Sequence, residues 1–273
     1  TPEAALERAA VLLRDARRPV LRGFEDATVE DVRAAVALAD RLGALVVTEA
    51  SARPHAFAVV GLVKRADSLA HALTALPGGT APVVIDLATA GATAAHARAC
   101  AQAGAPYVVA TTGMSVADTE ALDLAARTVP VLAAANLSVS AHVAARVVAE
   151  VSARLSSYDV EVVEVHHNKK RDAPSGTALL LAKAAATARA HPSPIKCARD
   201  GVSPREPGEI GVSAVRGGDV VGEHTVYFYG AGERIEIAHR ITDRAVFARG
   251  ALDAAAFLAA QAPGRYSMSD VVA

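Results

Sequence analysis

APVVIDLATAGATAAHARACAQAGAPYVVATTGM, running from Ala81 to Met114, is the stretch on which the fold turns. Its ends, Ala81–Ala88 and Pro106–Thr111, are short runs that are apolar at nearly every position. Between them Thr93–Ala103 is alanine-rich and reads as a helix. A strand that is apolar on both faces must be covered on both faces. The pair therefore predicts parallel strands joined by a right-handed helical crossover. The alternation continues in both directions. Upstream, Arg18–Phe24 (RPVLRGF) and Ala44–Ala50 (ALVVTEA) read as strands. The helix Thr28–Gly43 lies between them, with Thr28 as N-cap and Gly43 as its stop. A helix is expected around Ser68–Ala75, and the first residues, TPEAALERAAVLLRDARR, form an amphipathic helical pattern. Downstream come a helix at Ser115–Arg127 and the strand Val129–Asn136. This order predicts a doubly wound, nucleotide-binding type of sheet.

The pattern changes after a helix at Val139–Leu155. DVEVVEVHHN, IGVSAVRGG, EHTVYFYG and RIEIAHRI alternate in the manner of half-buried strands, and one helix follows Ser175. A last helix is expected at Ala251–Ala262. The fold class is thus α/β: a Rossmann-like parallel-sheet domain over residues 1–136, to which 248–273 return. An α+β substrate-binding domain with a mixed sheet occupies 137–247.

Composition narrows the function. The 273 residues carry a net charge of −1, so nothing in the total points to nucleic acid or an acidic membrane as partner. No apolar run approaches the roughly 20 residues of a membrane span. No signal peptide is visible. Cys100 and Cys197 are the only cysteines, too few for a disulfide framework, so both are expected to be reduced, buried, structural thiols in a cytoplasmic protein.

The chemistry concentrates in HHNKKRDAPSGTA, His166 to Ala178. As neighbours at the end of a strand, His166 and His167 point to opposite faces. They cannot share a metal from there, and no third ligand is spaced for one. DAPSGTALLLAKAAA then opens a helix. Gly176 allows close approach, and the first-turn amides around Thr177 sit at the positive end of the helix dipole. A carboxylate would bind there, with Lys169, Lys170 and Arg171 adding positive charge just upstream.

EVHHNKKRDAPSGTA resembles the signature E-x-H-H-x-x-K-x-D-A-P-S-G-T-A of the dihydrodipicolinate reductase family, also called 4-hydroxy-tetrahydrodipicolinate reductases. Other segments agree in order. ATTGM (Ala110–Met114) resembles the family's G-T-T-G turn, and AANLSVS (Ala134–Ser140) its A-x-N-F/M-S-x-G hinge. Val215–Phe228 and Gly232–Leu252 resemble the sheet of its substrate domain. The likeness is continuous from about Val83 to the end of the chain.

The resemblance implies hydride transfer from NADH or NADPH to a cyclic, unsaturated dicarboxylate in lysine and diaminopimelate synthesis, followed by proton delivery. His166 would be the general acid and Lys170 would stabilise developing charge. His167, Gly176 and Thr177 would bind substrate carboxylates. Gly23, Glu49, Ala110, Thr111, Thr112, Gly113, Ala134, Asn136 and Leu137 would meet the cofactor, Arg244 would take a supporting structural or anion role, and the protein would be a homotetramer. The likeness fades near the start. Where the family places a glycine-rich pyrophosphate loop, this chain has RGFEDATVED, with Gly23 alone among Glu25, Asp26 and Glu30. Carboxylates repel a pyrophosphate and missing glycines bar close approach. A weakly bound cofactor is expected, with NADH favoured because Glu49 ends a strand where it can accept from a ribose hydroxyl. Three functions follow: a reductase of the lysine pathway, a relative with altered substrate or cofactor use, and a non-catalytic dicarboxylate-binding protein.

Overall fold

The structure is a computed structural model and describes residues 20–21, 45–50, 57–60, 83–87 and 90–273. The helices expected at Thr28–Gly43 and Ser68–Ala75, the amphipathic N-terminal pattern, and Gly23 with the acidic residues after it lie outside those residues. The chain divides into two units, Thr1–Ala135 with Ala251–Val271, and Asn136–Gly250 with Val272–Ala273.

In the first unit a sheet orders its strands as β1 (Val20–Leu21), β2 (Leu45–Ala50), β3 (Phe57–Val60), β4 (Val83–Asp86), β5 (Tyr107–Val109), β6 (Pro130–Ala133) and β12 (Gly264–Tyr266). Every pairing is parallel except β2 with β3. Among the described strands the order follows the chain, without the reversal that a doubly wound sheet requires, so that detail of the sequence reading is corrected. The reason lies at β3. Only residues 51–56 separate it from β2, too short a link for a helical crossover, and the strand runs back antiparallel. The tail returns as β12, parallel to β6.

Helices α1 (Ala90–Ala103) and α2 (Val116–Ala125) pack on this sheet. Ser115 starts α2 with a capping box: its Oγ accepts from the Asp118 amide, and the Asp118 carboxylate accepts from the Ser115 amide at 2.9 Å. The core joins Val84, Ala97, Cys100, Val109, Leu122 and Val131. Beneath the end of β4 the Asp86 carboxylate accepts from the Tyr107 hydroxyl (2.5 Å) and meets His96 Nδ1 (2.7 Å). Burial, with Asp86 beside it, pushes the Cys100 thiol up and keeps it protonated.

The second unit holds a five-stranded mixed sheet, ordered β11 (Glu233–Ile241), β10 (Gly222–Gly230), β7 (Asp159–His166), β9 (Ile210–Arg216) and β8 (Ile195–Cys197). The β10–β11 and β10–β7 pairs are antiparallel, whereas β7–β9 and β8–β9 are parallel. Helices α3 (Val139–Arg154) and α4 (Gly176–Thr187) cover one face. Inward Val160, Val162, Ile210, Val212, Val226 and Phe228 meet a helix surface built largely of Ala145, Ala178, Ala182 and Ala185, around Val148 and Leu181. Small helix residues let the sheet approach closely, and each fully buried Val, Leu or Phe contributes about 1.5–3 kcal/mol.

Cys197 ends the short strand β8 at the sheet edge and is exposed, against the expectation of two buried thiols. Helix α5 runs Ala245–Ala259, so it starts earlier than its sequence pattern suggests. Asp243 Oδ1 accepts from the Ala245 amide and opens it. Gly250 sits inside α5, where the Leu137 carbonyl leaves no room for a side chain.

Candidate active site

Strand β7 alternates, and its inward set is Val160, Val162, Glu164 and His166. Two apolar residues seat the strand in the core; the next two bring a carboxylate and an imidazole to its end. Glu164 is fully buried and makes four hydrogen bonds to three partners. Arg216, paired opposite His166 on β9, grips it with both guanidinium nitrogens, Nη1 to Oε2 and Nη2 to Oε1, each at 2.8 Å. The Ser175 amide donates to Oε1 at 3.0 Å, and His166 Nδ1 lies 2.5 Å from Oε2. Burial pushes the Glu164 carboxyl up, but Arg216, His166 and the Ser175 amide together outweigh it and hold the group below the usual carboxylate range. Burial pushes His166 down, against the pull of Glu164.

Behind His166 stand two more histidines. His224 on β10 meets it edge-to-face, with ring centroids 5.2 Å apart, and His239 on β11 lies 6.0 Å beyond. Strand register makes the row, because His224 pairs with both Glu164 and His239. Each of the two touches the start of a helix: His224 Nε2 is 3.0 Å from the Oγ of Ser175, the N-cap of α4, and His239 Nε2 is 2.9 Å from Ser140 Oγ in the first turn of α3. Burial, then the neighbouring His166 and His239, pushes His224 down to about 4, and burial also lowers His239. Burial favours the neutral form of both rings. Among the described residues no group of three or more His, Cys, Asp or Glu is placed to hold a metal ion.

The loop after β7 turns at once: the His167 amide donates to the Val220 carbonyl at 2.7 Å, and the Lys170 amide to the His167 carbonyl at 3.1 Å. His167 lies beyond the strand and is half-buried, and its Nδ1 accepts from the Lys169 amide. Lys170 is half-buried with Nζ 2.8 Å from Asp172 Oδ1, whereas Lys169 and Arg171 are exposed. Helix α4 then opens on Gly176, exposed, and Thr177, buried. Their amides belong to the first turn, which has no preceding carbonyl to bond within the helix. Asn136, read from sequence as a cofactor contact, joins the helix start to the segment before α3. Its Nδ2 donates to Thr177 Oγ1 at 2.7 Å, and its Oδ1 accepts from the Ser138 amide at 2.7 Å. Leu137 beside it is buried.

So His166, Lys170, Gly176, Thr177 and Asn136 gather around the end of β7 and the start of α4, in the second unit. Ala110, Thr111, Thr112, Gly113 and Ala134 follow β5 and β6 in the first. Thr111 is buried, and Thr112 and Gly113 are exposed. Gly113 has φ +74° and open space where a Cβ would stand, so a ligand can approach the backbone there. Glu49 lies within β2, and Gly23 lies outside the described residues. Arg244 is exposed, with its guanidinium 5.7 Å from the centre of the Phe247 ring. Sequence reasoning passed over Glu164, Ser175, Arg216, His224 and His239. Glu164 had a signal, being two residues before His166 and hence on the same strand face.

A parallel-sheet unit followed by a mixed-sheet unit, whose central strand ends on a carboxylate-backed histidine beside the first turn of a helix, gives the chain the layout of a two-unit α/β enzyme. Two family models match the chain, "Dihydrodipicolinate reductase, N-terminus" over residues 33–137 and "Dihydrodipicolinate reductase, C-terminus" over 140–272. A 4-hydroxy-tetrahydrodipicolinate reductase of Anaeromyxobacter dehalogenans strain 2CP-1 is 44% identical over 256 residues, 86% of this chain and 94% of its own. That of Myxococcus xanthus strain DK1622 is 48% identical over 209 residues, 76% of each chain. The dipicolinate-bound dihydrodipicolinate reductase of Paenisporosarcina sp. TG-14 shares the fold, with a TM-score of 0.56 at 23% identity over 68% of this chain and 71% of that one. The chain belongs to the dihydrodipicolinate reductase family.

Proposed function

We propose that the chain converts 4-hydroxy-tetrahydrodipicolinate to tetrahydrodipicolinate with one hydride from a pyridine nucleotide and one proton, the 4-hydroxyl leaving as water, in lysine and diaminopimelate synthesis. The observation that carries this reading is the placement of a buried, carboxylate-backed histidine, a half-buried lysine and a helix start within one short segment, His166 to Thr177. A dianionic substrate needs cations and amide donors, and Lys170 with the amides of Gly176 and Thr177 supplies them. His167 adds a donor. A reduced nicotinamide, when bound, supplies the hydride. As the substrate gains electron density, Lys170 stabilises the developing charge and His166 delivers a proton. The exposed Thr112–Gly113 turn suits the cofactor's approach.

NADH is the favoured and weakly bound cofactor in this reading, on the strength of Glu49 and of the acidic residues after Gly23. A homotetramer is its assembly. The mixed-sheet face opposite the helices carries Val163, Val165, Val215, Tyr227 and Tyr229, none of them buried, with the two tyrosines stacked at 5.6 Å. Free thiols suit the cytoplasm. The test is oxidation of NADH and NADPH by the purified protein with freshly generated substrate, with cofactor titrations alongside. Substrate-dependent oxidation is expected, and its absence with both cofactors overturns the function. NADPH binding at or below about micromolar, roughly 8 kcal/mol, overturns the cofactor preference.

A further inference from the structure

We infer that Glu164 and Arg216 are a positioning pair for His166: its Nδ1–H donates to the ionised Glu164, so that Nε2 is the atom that carries a proton to substrate. The inference rests on the proposed general-acid role of His166 and adds the machinery that would make it directional. Three observations converge on it. First, a carboxylate only accepts, so with Glu164 ionised the 2.5 Å contact requires the proton on His166 Nδ1. Arg216, gripping both carboxylate oxygens, and the Ser175 amide keep Glu164 ionised in a fully buried place. Second, the neighbour of Nε2 is Gly222, where a Cβ would stand 2.9 Å away. Glycine at that position keeps the nitrogen clear. Third, Arg216 Nη2 also donates to the Asp172 carbonyl at 2.7 Å, and Glu164 takes the Ser175 amide. The same pair therefore anchors both ends of the segment that carries Lys170 and opens α4.

A plain structural ion pair would serve to join β7 to β9. That joint needs no help, because the two strands pair continuously from Val160–Ile210 to His166–Arg216. The charged and titratable groups facing His166 are Glu164 on its own strand, Arg216 from β9, His224 from β10, and Lys170, with its partner Asp172, from the following loop. His239 stands behind His224. Removing Glu164's charge leaves His166 among cations and a neutral ring. Removing Arg216 leaves the buried carboxylate with His166 as its nearest counterion. The two changes must therefore move the His166 proton affinity in opposite directions.

The experiment is nitrogen NMR of the ¹⁵N-histidine-labelled full chain, with His166 assigned by its loss in His166→Gln, together with pH profiles of turnover. The neutral form is expected as the Nδ1–H tautomer. In Glu164→Gln the His166 titration, and with it the alkaline limb of kcat, shifts down by about one pH unit; in Arg216→Met both shift up by a similar amount. A structural ion pair would lower stability in both variants without that opposition. An Nε2–H tautomer in the parent protein, or shifts of the same sign or none, overturns the inference. Should either variant fail to fold, the parent's tautomer alone decides. A parent with no turnover refutes the proposed function, while the NMR titration still reads the positioning pair.

Discussion

Acidification should unfold the second unit's histidine row, and His224 sets the scale. The ring is 1% exposed, its Nε2 is held by Ser175 Oγ, its Nδ1 has no hydrogen-bond partner, and His166 and His239 flank it. Burial and those neighbours take it from the ordinary 6.5 to about 4 in the folded state. The folded value is depressed, so the unfolded chain binds the extra proton. The neutral ring's contribution is complete above pH 6.5 and is lost as pH falls from 6.5 towards 4. A displacement of that size corresponds to about 3 kcal/mol, of which about 2 kcal/mol is gone by pH 5. His166 and His239, also depressed, act in the same direction. The assay is urea denaturation at several pH values between 7.5 and 4.5, on the parent and on His224→Gln, which cannot take up the proton. The variant starts less stable, but its curve should be flatter by about 2 kcal/mol between pH 7 and pH 5. Parallel curves for the two proteins would refute the reasoning and mean that His224 charges freely in the folded state.

Lys170→Ala should lower kcat by about a hundred- to a thousand-fold and His166→Gln by about 10²–10⁴-fold. Both should keep the parent's circular dichroism, and unchanged turnover in both would remove them from the site. Asn136→Ala removes the donor to Thr177 Oγ1, and dipicolinate, as a planar dicarboxylate probe, should bind roughly fivefold more weakly by calorimetry. Equal affinity would mean that Thr177 is placed without that clamp. Gly250→Ala puts a Cβ 1.7 Å from the Leu137 carbonyl oxygen, a backbone atom that cannot rotate away. A loss of about 3 kcal/mol in urea denaturation is expected, and an unchanged midpoint would show that α5 does not pack there.

What the chain wrote locally could be read from it. The apolar runs around Val83–Asp86 and Tyr107–Val109 with a helix between them announced a parallel pair, because burial on both faces leaves few other arrangements. The alternation of Asp159–His166, the Ser175 cap and the glycine after it predicted strand, loop and helix start, since period and capping act over a few neighbouring residues. That put His166, Lys170, Gly176 and Thr177 in one segment. What joins that segment to the rest was decided by the tertiary structure. Arg216 is 52 residues from the Glu164 it grips, Ser175 is 49 from His224, and Ser140 is 99 from His239. These contacts exist only because β9 pairs with β7, and β10 with both β7 and β11, in one register; a slip of one residue would turn every one of these side chains to the other face. The antiparallel β3, the edge strand that exposes Cys197 and the glycine inside α5 were hidden for the same reason. Short strands and close approaches are settled by their partners, and a sequence carries no local mark of a partner far along the chain.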